Sequence, residues 1–238
     1  MRVFMASDFH LQIIDNQNER QIKVLKFLDS LIGNADLLIL NGDIFDFWIV
    51  WKNAIIKQYF PILKKLADIK ESGCRIVFIA GNHDFWFKDF LVTFLEIEVY
   101  NDNFIEDIDG KKIFVSHGDI YTTNDLRYKI FRTIIRNRLV RKTIEMLHPN
   151  IAVKLANKLS RSSRSRKIST KLHSRREEGL NEFAQKKSSD FDVIIFGHSH
   201  FPKMENIGNC VYANCGDWIS NNSYIKMVDG KVELCRFA

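Results

Sequence analysis

Short apolar runs punctuate the chain: "RVFMA" (2–6), "DLLIL" (36–40), "RIVFIA" (75–80), "KIFVS" (112–116), "DVIIF" (192–196) and "CVYAN" (210–214). Their length and β-branched content predict buried strands. Helical recurrence fills the gaps between the first three. In "ERQIKVLKFLDSLIG" (19–33), Ile22, Leu25, Leu28 and Leu31 mark the expected buried face, and Gly33 ends the helix. "IIKQYFPILKKLADIKESG" (55–73) predicts a second helix, kinked at Pro61 and stopped at Gly73. Strand–helix alternation of this kind implies a layered α/β fold. Near the C-terminus the pattern changes. "YIKMVDGKVELCRF" (224–237) reads as two strands joined by an Asp229–Gly230 turn.

One stretch interrupts the alternation. "YKIFRTIIRNRLVRKTIEML" (128–147) sets Tyr128, Phe131, Ile134, Ile135 and Leu139 on one side, with arginines between them. "HPN" (148–150) breaks it, and "IAVKLANKL" (151–159) resumes with Ala152, Leu155, Ala156 and Leu159. This predicts a helical hairpin, followed by a Ser/Arg-rich loop or helix start. Residues 127–176 are therefore read as a helical cap inserted into a single domain that spans 1–238.

Composition supports one sizeable core: 238 residues, 46% hydrophobic. Cys74, Cys210, Cys215 and Cys235 form no CxxC pair and read as buried, reduced thiols of a cytosolic protein. "MRVFMASDFH" resembles neither a signal peptide nor a membrane span, and no apolar run reaches the roughly 20 residues that spanning requires. Charge is uneven. The net value is +6, yet residues 127–176 hold 16 Lys or Arg against the single acid Glu145. Such a stretch predicts an anionic partner: nucleic acid, a phosphorylated ligand or an anionic membrane. A solvated basic helix face explains it equally well until it is placed beside chemistry.

That chemistry follows the strands. "SDFH" after the first carries Asp8 and His10; "NGDIFDFW" after the second carries Asp43 and Asp46. "GNHDFW" brings Asn82, His83 and Asp84, "SHGD" brings His117 and Asp119, and "GHSH" brings His198 and His200. Open α/β sheets bind ligands at the carboxyl ends of their strands. Each motif alone is weak evidence. Five successive strand ends with the same donor chemistry are not, and only His148 and His173 of the seven histidines fall elsewhere. Glycine precedes the key residue in three motifs, which lets backbone approach closely. Imidazole, carboxylate and amide oxygen suit Mn²⁺, Fe²⁺ or Zn²⁺ better than Ca²⁺. So many donors call for two cations, on the order of 3.5–4 Å apart, with a shared carboxylate, and Asp43 is the expected bridge. Such a pair activates water, and its natural substrate is a phosphate ester or anhydride.

Taken together, "D-x-H … GDxxD … GNHD … H … GHxH" from Asp8 to His200 resembles the signature of the calcineurin-like metallophosphoesterases. The resemblance implies a β-sandwich of mixed sheets flanked by helices, four layers in all. It implies that Asp8, His10, Asp43 and His200 hold one metal, and that Asp43, Asn82, His117 and His198 hold the other. Within the family the chain is similar to the UDP-2,3-diacylglucosamine pyrophosphatases of lipid A biosynthesis. "GDIFDFW", "SHGDIYTTNDLRYKIFR" and the basic insertion carry that likeness. It implies hydrolysis to UMP and 2,3-diacylglucosamine 1-phosphate, with Mn²⁺ as the expected ion and Fe²⁺, Zn²⁺ or Mg²⁺ as alternatives. It also implies a cytoplasmic protein held peripherally at the inner membrane's cytoplasmic face. Those enzymes usually read GNRD. Here His83 replaces the arginine, as in the wider superfamily, where this histidine pairs with an acid matching Asp46 and touches the scissile phosphate. His83 and Asp46 are thus the expected catalytic pair. Asn82, His83, Asp125, Arg132, Lys167, Lys171 and His198 are expected at the substrate.

Three functions compete at this level. A hydrolase of a lipid-linked nucleotide sugar uses the cap's apolar faces for acyl chains and its arginines for phosphates and anionic headgroups. A phosphodiesterase of nucleic acid or soluble nucleotides uses the basic stretch along a phosphate backbone. Its aromatics there, Tyr128 and Phe131, are few for base stacking. A non-enzymatic scaffold has no need of all seven ligands. Trp48, Trp86 and Trp218 are expected to pack rather than bind.

Overall fold

A computed structural model describes residues 1–13, 18–87, 90–122, 132–155, 158 and 170–238. Two mixed sheets stack face to face. The first runs β11-β10-β1-β2-β3-β4, built from β1 (Arg2–Ala6), β2 (Leu37–Asn41), β3 (Arg75–Ile79), β4 (Glu98–Tyr100), β10 (Ser223–Val228) and β11 (Lys231–Arg236). The second runs β5-β6-β7-β9-β8, from β5 (Asn103–Ile108), β6 (Lys111–Ser116), β7 (Val193–Phe196), β8 (Lys203–Ile207) and β9 (Cys210–Asn214). Side chains alternate across each strand, so one face of each sheet fills the space between them. Val3, Met5, Leu37, Ile39, Val77 and Ile79 of the first sheet meet Ile113, Val115, Val193 and Ile195 of the second.

The opposite faces are covered by helices, which makes four layers. Phe4, Leu38, Leu40, Ile76 and Phe78 pack under α1 (Glu19–Leu31) and α2 (Phe60–Glu71). Phe114, Ile194, Phe196 and Tyr212 pack under Leu180 and Ala184 of a long helix, Thr170–Lys187. The C-terminal hairpin turns at Asp229 and Gly230 with φ of 49° and 76°, as its two-residue loop requires.

Three helical expectations need correction. The buried face of α1 is Gln21, Val24, Phe27, Leu28 and Leu31, while Ile22 is 42% exposed. A strict three-residue spacing drifts around a helix with 3.6 residues per turn, whereas 24, 27, 28 and 31 stay on one side. Pro61 does not kink α2 but sits in its first turn, where a missing N–H costs nothing. The basic stretch is not one helix up to residue 147. It breaks at Arg136–Asn137, and the Asn137 side chain caps α3 (Arg138–Met146) by accepting from Leu139 N at 2.8 Å. A further helical turn covers 149–155. We label the long helix Thr170–Lys187 α4; it continues past Arg176 and packs on the second sheet. Among the described residues no helix is long and apolar enough to cross a membrane. The four cysteines are free thiols.

Candidate metal centre

Parallel pairing places the carboxyl ends of β1, β2 and β3 side by side, and those of β6, β7 and β9 likewise. Six loops therefore meet at one edge of the sandwich. Asp8 N donates to Gly42 O at 3.0 Å and His10 N to Asp43 O at 2.9 Å, which knits the first loop to the second. Gly197 N donates to His117 O at 3.1 Å, and His198 N to Asp8 Oδ2 at 3.0 Å, which joins the two sheets. The approach leaves no room for side chains at the glycines. A Cβ on Gly197 would lie 2.5 Å from Ser7 Oγ, and one on Gly42 2.6 Å from the His117 ring.

Five of the expected ligands adopt the left-handed backbone conformation: Asp8 (φ 56°), His10 (46°), Asp43 (53°), His198 (61°) and His200 (59°). Each such residue costs of order 1–3 kcal/mol, somewhat less for Asp and His, which tolerate the region best. That strain persists only because surrounding structure overdetermines it. Burying one core Ile or Leu contributes about 1.5–3 kcal/mol and offsets it.

The side chains converge in two groups, Asp8/His10/His200 and Asp43/His117/His198. Asp43 Oδ2 lies between them, 3.7 Å from His10 Nε2 and 3.5 Å from His117 Nε2. Asn82 Oδ1 stands 3.2 Å from His117 Nε2. Three rings are fixed from behind at Nδ1: His10 by Asp46 Oδ1 at 3.2 Å, His117 by the Asn41 carbonyl at 2.9 Å, His200 by Asp217 Oδ2 at 3.5 Å. An acceptor behind Nδ1 turns the Nε2 lone pair into the cleft, the usual arrangement of metal-binding histidines. His10 and His200 then face each other, Nε2 to Nε2, at 3.3 Å, and Asp8 Oδ1 lies 3.1 Å from His200 Nε2 and 3.7 Å from His10 Nε2. These donors fit borderline divalent cations in both groups.

His83 sits differently. It is the most exposed ring here, at 29%. Its N–H donates to Asp43 Oδ1 at 2.9 Å, while its Nδ1 lies 3.1 Å from the backbone carbonyl of Asp46. The Asp46 carbonyl is thus the partner of His83 Nδ1, while the Asp46 carboxylate bonds His10 at 3.2 Å and gathers with both rings, its ligand atom within 4.8 Å of theirs. Arg132 is ion-paired to Asp119 and Asp102, both at 2.8 Å, so it braces the "SHGD" loop. Asp125, Lys167 and the side chain of Lys171 lie outside the described residues, as do Tyr128, Phe131 and the His173 side chain. Trp48, Trp86 and Trp218 are buried.

Two further residues support the site: Asp84, named in its motif without a role, and Asp217, which went unread in the sequence. Asp84 accepts from the backbone N–H of Asp43 (2.9 Å), Gly81 (3.1 Å), Ile44 (2.7 Å) and Phe45 (3.0 Å), and so shapes the turn that carries Asp43. Asp217 follows β9 in "NCGDW" and accepts from Ile219, Ser220 and Asn221 while holding His200. The signal was present: a Gly-Asp pair after a strand, as in "NGD".

Charge in the cleft is tightly balanced. Burial alone would lower His10, but Asp46, Asp8 and Asp43 outweigh it and raise it to about 10. Burial likewise opposes, and Asp43, Asp8 and Asp119 produce, the rise of His117 to about 10. For Asp43, burial pushes upward, but His117, His83 and His10 hold it well below the usual carboxylate range. Protons thus occupy imidazoles where cations can bind, so the two compete. Mn²⁺ added to the metal-free protein in weak buffer at pH 8 is expected to release protons, and apparent affinity should rise with pH. A pH-indicator titration with no release would show that these rings are already neutral.

The comparisons agree with this geometry. The Calcineurin-like phosphoesterase profile matches residues 1–202. A protein of Porphyromonas gingivalis named UDP-2,3-diacylglucosamine hydrolase is 28% identical over 94% of this chain and 92% of its own length. One of the same name from Haemophilus ducreyi is 29% identical over 97% of each. A solved structure of an archaeal phosphodiesterase shares the fold, with a TM-score of 0.54 over 99% of both chains at 16% identity. With the profile spanning all five ligand-bearing motifs, the chain belongs to the calcineurin-like phosphoesterase family and is a metal-dependent hydrolase.

Proposed function

We propose that the protein cleaves the pyrophosphate of UDP-2,3-diacylglucosamine, or a close lipid-linked nucleotide sugar, to UMP and 2,3-diacylglucosamine 1-phosphate. The observation that carries this reading is an amphipathic segment tied to the phosphoester centre. Trp86 Nε1 donates to Ile135 O at 3.1 Å, and Arg136 donates to Gly81 O at 3.0 Å. Residues 132–136 are thereby fastened to the loop of Asn82 and His83. From that point α3 leads off with Leu139 75% and Met146 80% exposed, followed by Ile151 and Leu155, among Arg138, Arg141, Lys142 and Lys154. Acyl carbons can cover such surface at about 0.8 kcal/mol per CH₂. Arginine and lysine at the apolar edge suit phosphates and anionic headgroups. The names of the relatives point to the same substrate.

In this reading Asp8, His10, Asp43 and His200 hold one cation and Asp43, Asn82, His117 and His198 the other, with Mn²⁺ the expected ion. Two such cations supply Lewis-acid charge for phosphoryl oxygens and lower the pKa of water. Asp46 and Asp217 keep His10 and His200 aimed into the cleft. His83 faces the substrate from the exposed side and donates to a phosphoryl or leaving-group oxygen. A lipid substrate and a basic cap together support a working site at the anionic cytoplasmic surface of the inner membrane.

The test compares three substrates with Mn²⁺-loaded protein: UDP-2,3-diacylglucosamine in mixed micelles, a UDP-sugar without acyl chains, and a single-stranded oligonucleotide. Release of UMP is expected from the lipid, at a kcat/KM far above that for the other two. Turnover of the oligonucleotide with none of the lipid would establish a nucleic-acid phosphodiesterase instead.

A further inference from the structure

Helix α4 crosses the edge of the cleft on the side of the second sheet. Leu180 packs over Gly118, where an added Cβ would lie 2.9 Å from Leu180 Cδ2. Glu177, 6% exposed, accepts from Ser199 Oγ at 2.7 Å, Tyr212 OH at 2.6 Å and Asn214 Nδ2 at 3.2 Å. Both anchors rest on metal-centre loops: Gly118 follows His117, and Ser199 separates His198 from His200.

These anchors determine where Arg176 goes. It precedes Glu177 directly and Leu180 by four residues, so it leaves the same helix face one turn nearer the N-terminus. Its charge stands close enough to His198 that, after burial itself, it is the largest influence lowering that ring's pKa. Its Nε is shielded from solvent and has no hydrogen-bond partner. Among the described residues no carboxylate pairs with it. Glu177, its neighbour in sequence, is turned to Ser199 and Tyr212 instead.

A guanidinium stays charged at any working pH, and leaving one partly buried without a partner is costly. It is no metal ligand, since a cation held by Asp43, His117 and His198 repels it. Two positive groups share a site comfortably only when an anion lies between them. The planar fork of arginine matches two oxygens of a phosphoryl group. We propose that Arg176 binds the substrate's phosphate on the His117–His198 side of the cleft, its guanidinium bridging two phosphoryl oxygens. This rests on the reading of the protein as a phosphoester hydrolase.

The experiment uses full-length Mn²⁺-loaded protein with Arg176→Met, which keeps the aliphatic stem, and Arg176→Lys, which keeps charge without the fork. Inorganic phosphate is titrated as a competitive inhibitor, metal content is measured, and kcat/KM is taken on bis(p-nitrophenyl) phosphate and UDP-2,3-diacylglucosamine. Arg176→Met should keep its metal, bind inorganic phosphate more weakly and lose roughly 10- to 100-fold in kcat/KM, the range for lost charge-assisted hydrogen bonds. Arg176→Lys should recover only part, and added guanidinium ion should partly restore Arg176→Ala. Unchanged phosphate binding and kcat/KM in metal-loaded Arg176→Met overturns the proposal. Should that variant not fold, wild-type phosphate affinity in Arg176→Lys overturns it. A wild-type protein that turns over neither substrate refutes the functional reading instead, and inorganic phosphate binding, then read by calorimetry on the Mn²⁺-loaded proteins, still reports on Arg176.

Discussion

Asp43→Asn and Asp43→Ala are expected to bring hydrolysis of bis(p-nitrophenyl) phosphate close to background. The Asp43 carboxylate stands between both candidate cation groups: Oδ2 is 3.7 Å from His10 Nε2 and 3.5 Å from His117 Nε2. Oδ1 meanwhile accepts the His83 N–H. A cation contributes several kcal/mol to a phosphoryl transition state. Each 1.36 kcal/mol is tenfold in rate, so the loss should be on the order of 10³-fold or more. Alanine at this position also has to adopt the φ of 53°. Asparagine tolerates that conformation and nearly matches the shape, so it isolates the lost charge. Bound Mn²⁺ should fall in both variants, and excess Mn²⁺ should not restore full rate. Near-normal turnover and metal content in either variant would refute the shared-carboxylate arrangement.

The second large effect is expected at His83. His83→Ala should lose roughly 10²–10⁴-fold in kcat, the range for general acid catalysis, while retaining its full complement of Mn²⁺. The ring is 29% exposed, unlike the buried His117 and His198. A carbonyl holds its Nδ1, so Nε2 is left for the cleft, 4.0 Å from Asp43 Oδ2. Because His83 also lies near His10 and Asp46, a third ligand role is the competing account. Metal analysis separates the two. One Mn²⁺ lost per chain, with full rate regained at saturating Mn²⁺, would make His83 a ligand rather than a group acting on substrate.

Much of this was legible in the chain. Six apolar runs read as strands are strands, with ends displaced by one residue at most. Period and β-branching are local properties, and the sheets reward them locally. The donors after five of those strands were legible for the same reason, since a motif at a strand end needs only the strand to be recognised. β4, β5 and β8 were not read, because "EVY", "NFIEDI" and "KMENI" lack a continuous apolar run. Helix faces were read less well. The choice between Ile22 and Val24 depends on which side of α1 meets the sheet, and both fit a rough helical period.

The sequence alone determined six strands and the C-terminal hairpin, the helices between the first three strands, the donor chemistry at the strand ends and the family these motifs mark. Tertiary structure decided how the donors are held. The His198 N–H reaches Asp8 across 190 residues, and Asp46, Asn41 and Asp217 each take a ring nitrogen that no local spacing connects to them. The left-handed backbone at Asp8, His10, Asp43, His198 and His200 belongs to the same class, since isolated chains avoid it and only packing from both sheets maintains it. Helix α4 is locked by Glu177 and Leu180 onto loops that follow two different strands, and that lock sets the position of Arg176 one turn nearer its N-terminus. Periodicity carries information over a few residues; which strand ends meet depends on the order and register of whole sheets, and that emerges only when every strand has found its neighbour.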